Sequence, residues 1–171
     1  MKFTDGQWLL QPGVSAYYPA EARDVKPVGE SLVIHAPTRP IRHRGDTLGG
    51  PLLTVTLSAP MDDIVRVRLE DFSGVTDRNP KIPLQPVPAP KVTVENGEAA
   101  ASLRAGDLTA RVRRDNWEIC FEGHGKVLTK SGSRGLGYIH WEKHGNYVHE
   151  QLNIGVGECV YGLGERFTAY V

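Results

Sequence analysis

An all-β antiparallel sandwich is the fold this sequence predicts, and three observations predict it. The run Ile64–Glu70 alternates without exception, with Val65, Val67 and Leu69 on one face and Arg66, Arg68 and Glu70 on the other. From Lys91 onward, turn chemistry recurs at roughly the eight-to-twelve-residue spacing of sandwich strands. No long stretch keeps the i, i+3, i+4 apolar spacing of a helix, and prolines interrupt the N-terminal half, so little or no helix is expected.

Each element follows from local chemistry. Residues 52–57 set Leu53, Val55 and Leu57 against Thr54 and Thr56, and residues 58–63 are turn-like, so the two runs predict a hairpin. Asn96-Gly97 separates a strand at 92–95 from one at 99–103. As the strongest short hairpin signal, it predicts a type I′ turn with positive φ at both central residues. Gly106-Asp107 leads to a strand at 108–113, Asp115-Asn116 to one at 117–121, and Gly123-His124-Gly125 to one at 126–129. Residues 143–146 form a further hairpin tip. Residues 39–51 read as a basic, flexible loop. Residues 75–90, with five prolines, read as an extended surface excursion inside one domain.

The composition bounds the function. At 171 residues the chain fits one domain, spanning 1–171. Twenty basic residues balance twenty acidic ones, so neither nucleic acid nor an anionic membrane is an expected partner. Asp5, Gly6 and Gln7 interrupt any apolar leader, no run approaches the ~20 residues of a membrane span, and a cytoplasmic location is expected. Cys120 and Cys159 sit in strand-like runs and are expected as small buried hydrophobes, with a disulfide or a reactive thiol as the alternatives.

Candidate chemistry is sparse. His140, His144 and His149, with Glu142 and Glu150, invite a metal site, but around a hairpin tip they read as exposed histidines. The carboxylate pairs are Asp62/Asp63, Glu70/Asp71 and Glu158/Glu165. The first two read as solvated, and the third as structural carboxylates capping backbone amides. No nucleophile elbow or phosphate cradle occurs. Of the aromatic residues Trp8, Tyr17, Tyr18, Trp117, Tyr138, Trp141, Tyr147, Tyr161 and Tyr170, most read as core. Trp141 and Tyr147 are the best candidates for an exposed sugar-stacking surface.

Near its end the sequence reads Gly157-Glu158-Cys159-Val160-Tyr161-Gly162-Leu163-Gly164-Glu165-Arg166-Phe167-Thr168. With Asp5-Gly6-x-Trp8-Leu9-x-Gln11-Pro12-Gly13, Ile64-Val65-x-Val67-Arg68, Val92-Thr93-x-Glu95-Asn96 and Gly106-x-Leu108-x-Ala110-Arg111-Val112, it resembles the N-terminal region of family 31 glycoside hydrolases. It looks like the N-terminal region of a bacterial α-xylosidase of that family. The resemblance implies a β-super-sandwich of the galactose mutarotase-like fold, packed on a (β/α)8 barrel that carries an aspartate nucleophile and an aspartate acid/base. It implies retaining hydrolysis of terminal α-xylosides in carbohydrate metabolism.

Neither aspartate motif occurs in the sequence, and the loop that such a domain lends to the active site is expected beyond Val171. No catalytic, cofactor-binding or metal residue therefore transfers, no cofactor is expected, and the chain by itself is expected to be inactive. Ending on Phe-Thr-Ala-Tyr-Val without a turn or polar tail, it reads as truncated, which predicts self-association through an unpaired sheet edge. The expected partner is the catalytic barrel, with carbohydrate as a further possibility. The alternatives are a free-standing carbohydrate-binding module and a metal-dependent protein built on His140–His149.

Overall fold

In the computed structural model, which describes residues 3–5, 9–72 and 87–161, the chain is built from antiparallel strands. In chain order these are β1 (Val14–Tyr17), β2 (Asp24–Val28), β3 (Ser31–Pro37), β4 (Leu52–Met61), β5 (Ile64–Glu70) and β6 (Val92–Asn96). They continue as β7 (Ala100–Ala105), β8 (Leu108–Arg113), β9 (Glu118–Gly123), β10 (Lys126–Ser131), β11 (Gly137–Trp141) and β12 (Gly145–His149). The described residues contain no α-helix, only a 3₁₀ turn at Arg44–Leu48.

Two sheets face each other. One has the order β2-β3-β4-β5 and the other β10-β9-β8-β7-β6, while β1-β11-β12 forms a smaller third sheet. Strand alternation decides what lies between them. Leu32, Ile34, Val55 and Leu57 point inward from the first sheet, and Leu103, Ala110, Val112 and Ile119 meet them from the second. Each of these larger side chains stabilises the fold by about 1.5–3 kcal/mol through burial. Val65, Val67 and Leu69 of β5 pack against the same core, as their alternation predicts.

Several local expectations change. Strand β4 runs on to Met61 through a register shift after Ser58, so only Asp62 and Asp63 turn the chain. Asn96-Gly97 does mark a hairpin, but neither residue has positive φ, because Asn96 stays in the ladder opposite Ala101 and its amide donates to the Val25 carbonyl at 3.0 Å. Consecutive positive φ values occur instead at His124 (51°) and Gly125 (73°), between Gly123 and Lys126.

Trp117 is the last turn residue before β9 rather than a strand residue. Its backbone N–H donates to Ala20 and its indole is sealed in the core. The tip of the β11–β12 hairpin is 142–144, one residue earlier than expected at its start. Residues 158–161 form no strand, and Cys159 is exposed, whereas Cys120 is buried as expected. Most of 75–90 lies outside the described residues.

Candidate functional site

The three histidines do not converge. On β11, His140 donates through Nδ1 to the Asn146 side-chain oxygen at 2.7 Å, and these two residues share one face of the sheet. His149 lies on the opposite face of the β12 ladder, donates through Nε2 to the Arg134 carbonyl at 3.1 Å and packs edge-on against Tyr18. His144 rests on the Trp141 ring, with centroids 4.0 Å apart. Among the described residues no three His, Cys, Asp or Glu side chains are placed to share a metal ion.

The carboxylates are held by structural contacts. Glu70 pairs with Arg68 at 2.9 Å. Asp71 approaches Tyr138, whose hydroxyl is pushed up from its ordinary value, first by burial and then by that carboxylate. Glu158 accepts from the Gly155 backbone N–H at 2.7 Å, the amide-capping role expected of it; Glu165 lies outside the described residues.

Among the described residues the aromatics make no exposed row, although Tyr161, expected as core, is exposed. Trp117 is core. Trp141 and Tyr147 are half-buried because Phe3 packs on both, at centroid distances of 6.1 and 5.1 Å. The expectation of their exposure is therefore corrected by the N-terminal segment folding back over them. Tyr17 and Tyr138, cross-strand partners on β1 and β11, stack at 6.0 Å and 23° on the other face of that sheet. Trp8 and Tyr170 lie outside the described residues.

Concave surfaces open at several places among the described residues. A polar groove of about 650 Å³ crosses the outer face of the β6-β7-β8 ladder, where Thr93, Glu95, Arg104, Thr109 and Arg111 alternate with the core-facing residues. Its end wall is the β4–β5 tip, brought in from the other sheet by Asp63. Donors and acceptors of both signs mingle there, a surface suited to hydroxyl groups more than to a single charge.

The second surface is the segment 39–51, which contains a 3₁₀ turn tied by side-chain and backbone hydrogen bonds. Glu21, buried just before β2, accepts from the Ile41 backbone N–H at 3.2 Å and from Arg42 Nη1 at 3.0 Å, and Arg23 lies 3.7 Å away. Asp46 accepts from the Arg42 and His43 backbone N–H groups at 2.8 and 3.0 Å, closing the 3₁₀ turn. Those two amides, with Arg39 and Arg42 nearby, hold its carboxyl below the ordinary 3.8. A pocket of about 440 Å³ opens beside the turn, lined by Pro37, Ile41, Pro51 and Leu52 together with Arg23, Arg39 and Asp46. Sequence reasoning missed Glu21. Its one signal was an acidic residue isolated between alanines, ahead of a basic loop in need of a counter-charge.

The model of the glycosyl hydrolase 31 N-terminal galactose mutarotase-like domain matches residues 54–170. The chain belongs to this family. The sandwich of β2 to β10, with no α-helix among its described residues, is the architecture that the resemblance implied. Across its whole length the family 31 domain is 34% identical to the α-xylosidase XylQ of Lactiplantibacillus pentosus and 28% identical to an α-xylosidase of Emericella nidulans. It spans 22% and 24% of those relatives, so it corresponds to one part of larger proteins. Among solved structures, the cycloalternan-forming enzyme of Listeria monocytogenes, determined with a pentasaccharide substrate, shares the fold. The TM-score is 0.55 at 18% identity, over 74% of this chain and 11% of that one.

Proposed function

We propose that this family 31 domain is the non-catalytic front part of an enzyme that hydrolyses terminal α-xylosides with retention, and that it supports an active site formed by a barrel elsewhere in the parent chain. The observation that carries the reading is the match to two α-xylosidases along this entire chain while it spans less than a quarter of either. Retaining chemistry needs two carboxyl groups roughly 5–5.5 Å apart across a sugar. The carboxylates described above are committed to turns, ion pairs and amide caps, which accords with a supporting role. Hydrolysis of p-nitrophenyl α-xyloside by this chain and by a version extended through the barrel tests it. Turnover confined to the extended version supports the reading; turnover by residues 1–171 alone overturns it.

A second reading, direct carbohydrate binding by this domain, draws on the polar groove over β6-β7-β8 with its mixed donors and acceptors. Calorimetric titration with xylo-oligosaccharides, repeated on Arg104→Ala, tests it: heat that disappears in the variant supports the groove, and no heat ends the idea. Self-association of the isolated chain draws on the exposed apolar side chains Leu152, Ile154, Val156 and Val160 after β12. A scattering mass that stays monomeric as concentration rises would count against it.

A further inference from the structure

We propose that Asn96 is a site of spontaneous covalent modification, deamidation through a cyclic imide formed with Gly97. The contacts that Asn96 makes between the two sheets restrain the reaction, and the reaction in turn destroys them. The inference stands apart from the functional reading above.

The sequence supplies the reactive pair. Of Asn79, Asn96, Asn116, Asn146 and Asn153, only Asn96 precedes a glycine. Gly97 has no Cβ to crowd its own backbone nitrogen as that nitrogen closes on the Asn96 side chain. In this step the Gly97 N–H gives its proton to solvent and the nitrogen bonds to Cγ of Asn96. The Cγ–Nδ2 bond breaks, and the side-chain nitrogen leaves as ammonia. Water then opens the five-membered imide at either carbonyl, leaving aspartate or isoaspartate where a neutral amide stood. One water is consumed and one ammonia released.

The fold holds both partners of that step. Asn96 ends β6 in the ladder opposite Ala101, and the Gly97 N–H donates to the Ala100 carbonyl at 3.0 Å, so the nucleophile is occupied. On the electrophile, Nδ2 donates to the Val25 carbonyl at 3.0 Å, and Oδ1 accepts from Arg114 Nη2. Arg114, just after β8, also donates through Nε to the Gly97 carbonyl at 2.8 Å and through its backbone N–H to the Ala99 carbonyl at 3.0 Å. Ring closure must lift Asn96 out of the ladder, so its rate follows the fraction of time this end of β6 and β7 is open.

The product cannot restore the contact. Val25 lies in β2 and Asn96 in β6, each an edge strand of its own sheet, and the Nδ2 bond fastens the two edges. A carboxylate has no N–H to donate and would set an acceptor against the Val25 carbonyl. It also pairs more strongly with the Arg114 guanidinium, which draws it away from β2. Isoaspartate adds a methylene to the backbone and spoils the register with Ala101.

Peptide mapping by mass spectrometry tests the inference on the 171-residue chain at mildly alkaline pH, with and without guanidinium chloride. In denaturant, a gain of about 1 Da should appear at Asn96 before any other asparagine, and without denaturant it should appear at least about tenfold more slowly. Arg114→Ala should speed the native reaction several-fold and leave the denatured rate unchanged. In aged wild type and in Asn96→Asp, amides of β2 should exchange faster than in fresh protein, while those of β8 keep their protection. Equal rates with and without denaturant overturn the proposal, as does earlier modification of another asparagine. A native rate that Arg114→Ala leaves unchanged or slows removes the restraint. Unchanged β2 exchange in both modified forms, or loosening that extends to β8, removes the fastening of the two edges.

Discussion

Asp63 and Asp107 join the two sheets of the sandwich: Asp63 Oδ1 accepts a hydrogen bond from the Asp107 backbone N–H at 2.6 Å. Asp63 sits at the tip of β4–β5 with φ of 58°, a left-handed conformation that is costly for a residue with a Cβ. The docking repays that cost, because the Asp63 N–H also donates to the Ala105 carbonyl at 3.3 Å. Between these partners lies Gly106, with φ of +60°, where an added Cβ would come 2.4 Å from Asp63 Oδ1.

Gly106→Ala should therefore destabilise the domain by about 1–3 kcal/mol, from backbone strain and displacement of the aspartate. Asp63→Ala should cost about 0.5–1.5 kcal/mol for the lost bond. The double variant should cost less than the sum, since both act through one contact. Urea unfolding of the four proteins measures this, and simple additivity would show that the contact is not shared.

Trp117 and Trp141 should respond very differently to truncation. Trp117 is 1% exposed at the end of the sandwich core, so Trp117→Ala should cost about 3–5 kcal/mol. Trp141 is half-buried against Phe3 and His144 and should cost clearly less. Equal losses in thermal melts would contradict this placement.

Acid should loosen the 39–51 strap before it unfolds the sandwich. The Asp46 carboxyl is held below 3.8 by the Arg42 and His43 amides, so the folded state favours the ionised form. The stabilisation is present above the unfolded-state value and is lost as pH falls through the lower folded-state value. Protection of amides 42 and 43, corrected for the intrinsic pH dependence of exchange, should fall below about pH 4 in the wild type, and Asp46→Asn should remove that fall. A strap that keeps its acid response without Asp46 would point to another group.

The two thiols should label at different rates. Cys159 is exposed, whereas Cys120 is buried in β9 and its thiol is pushed up by burial and by Glu122. A thiol reagent at neutral pH should take up one equivalent quickly and the second only on unfolding. Two fast equivalents would mean that β9 opens readily.

The sequence made the strands from 52 to 131 legible because their information is contiguous: alternation within each run and turn chemistry between runs. It also carried the family, through the run from Gly157 to Thr168. Strands β1 to β3 were not legible, since Pro19, Pro27 and Pro37 interrupt the pattern there and pairing with later strands supplies the order. Only the tertiary structure decided that Glu21 ties down 39–51, that Phe3 covers Trp141 and Tyr147, and that Asp63 reaches the opposite sheet. Glu21 and Arg42 are 21 residues apart, and Asp63 and Asp107 are 44 apart. Such pairs leave no periodic trace along the chain, because their geometry exists only once the strands have stacked.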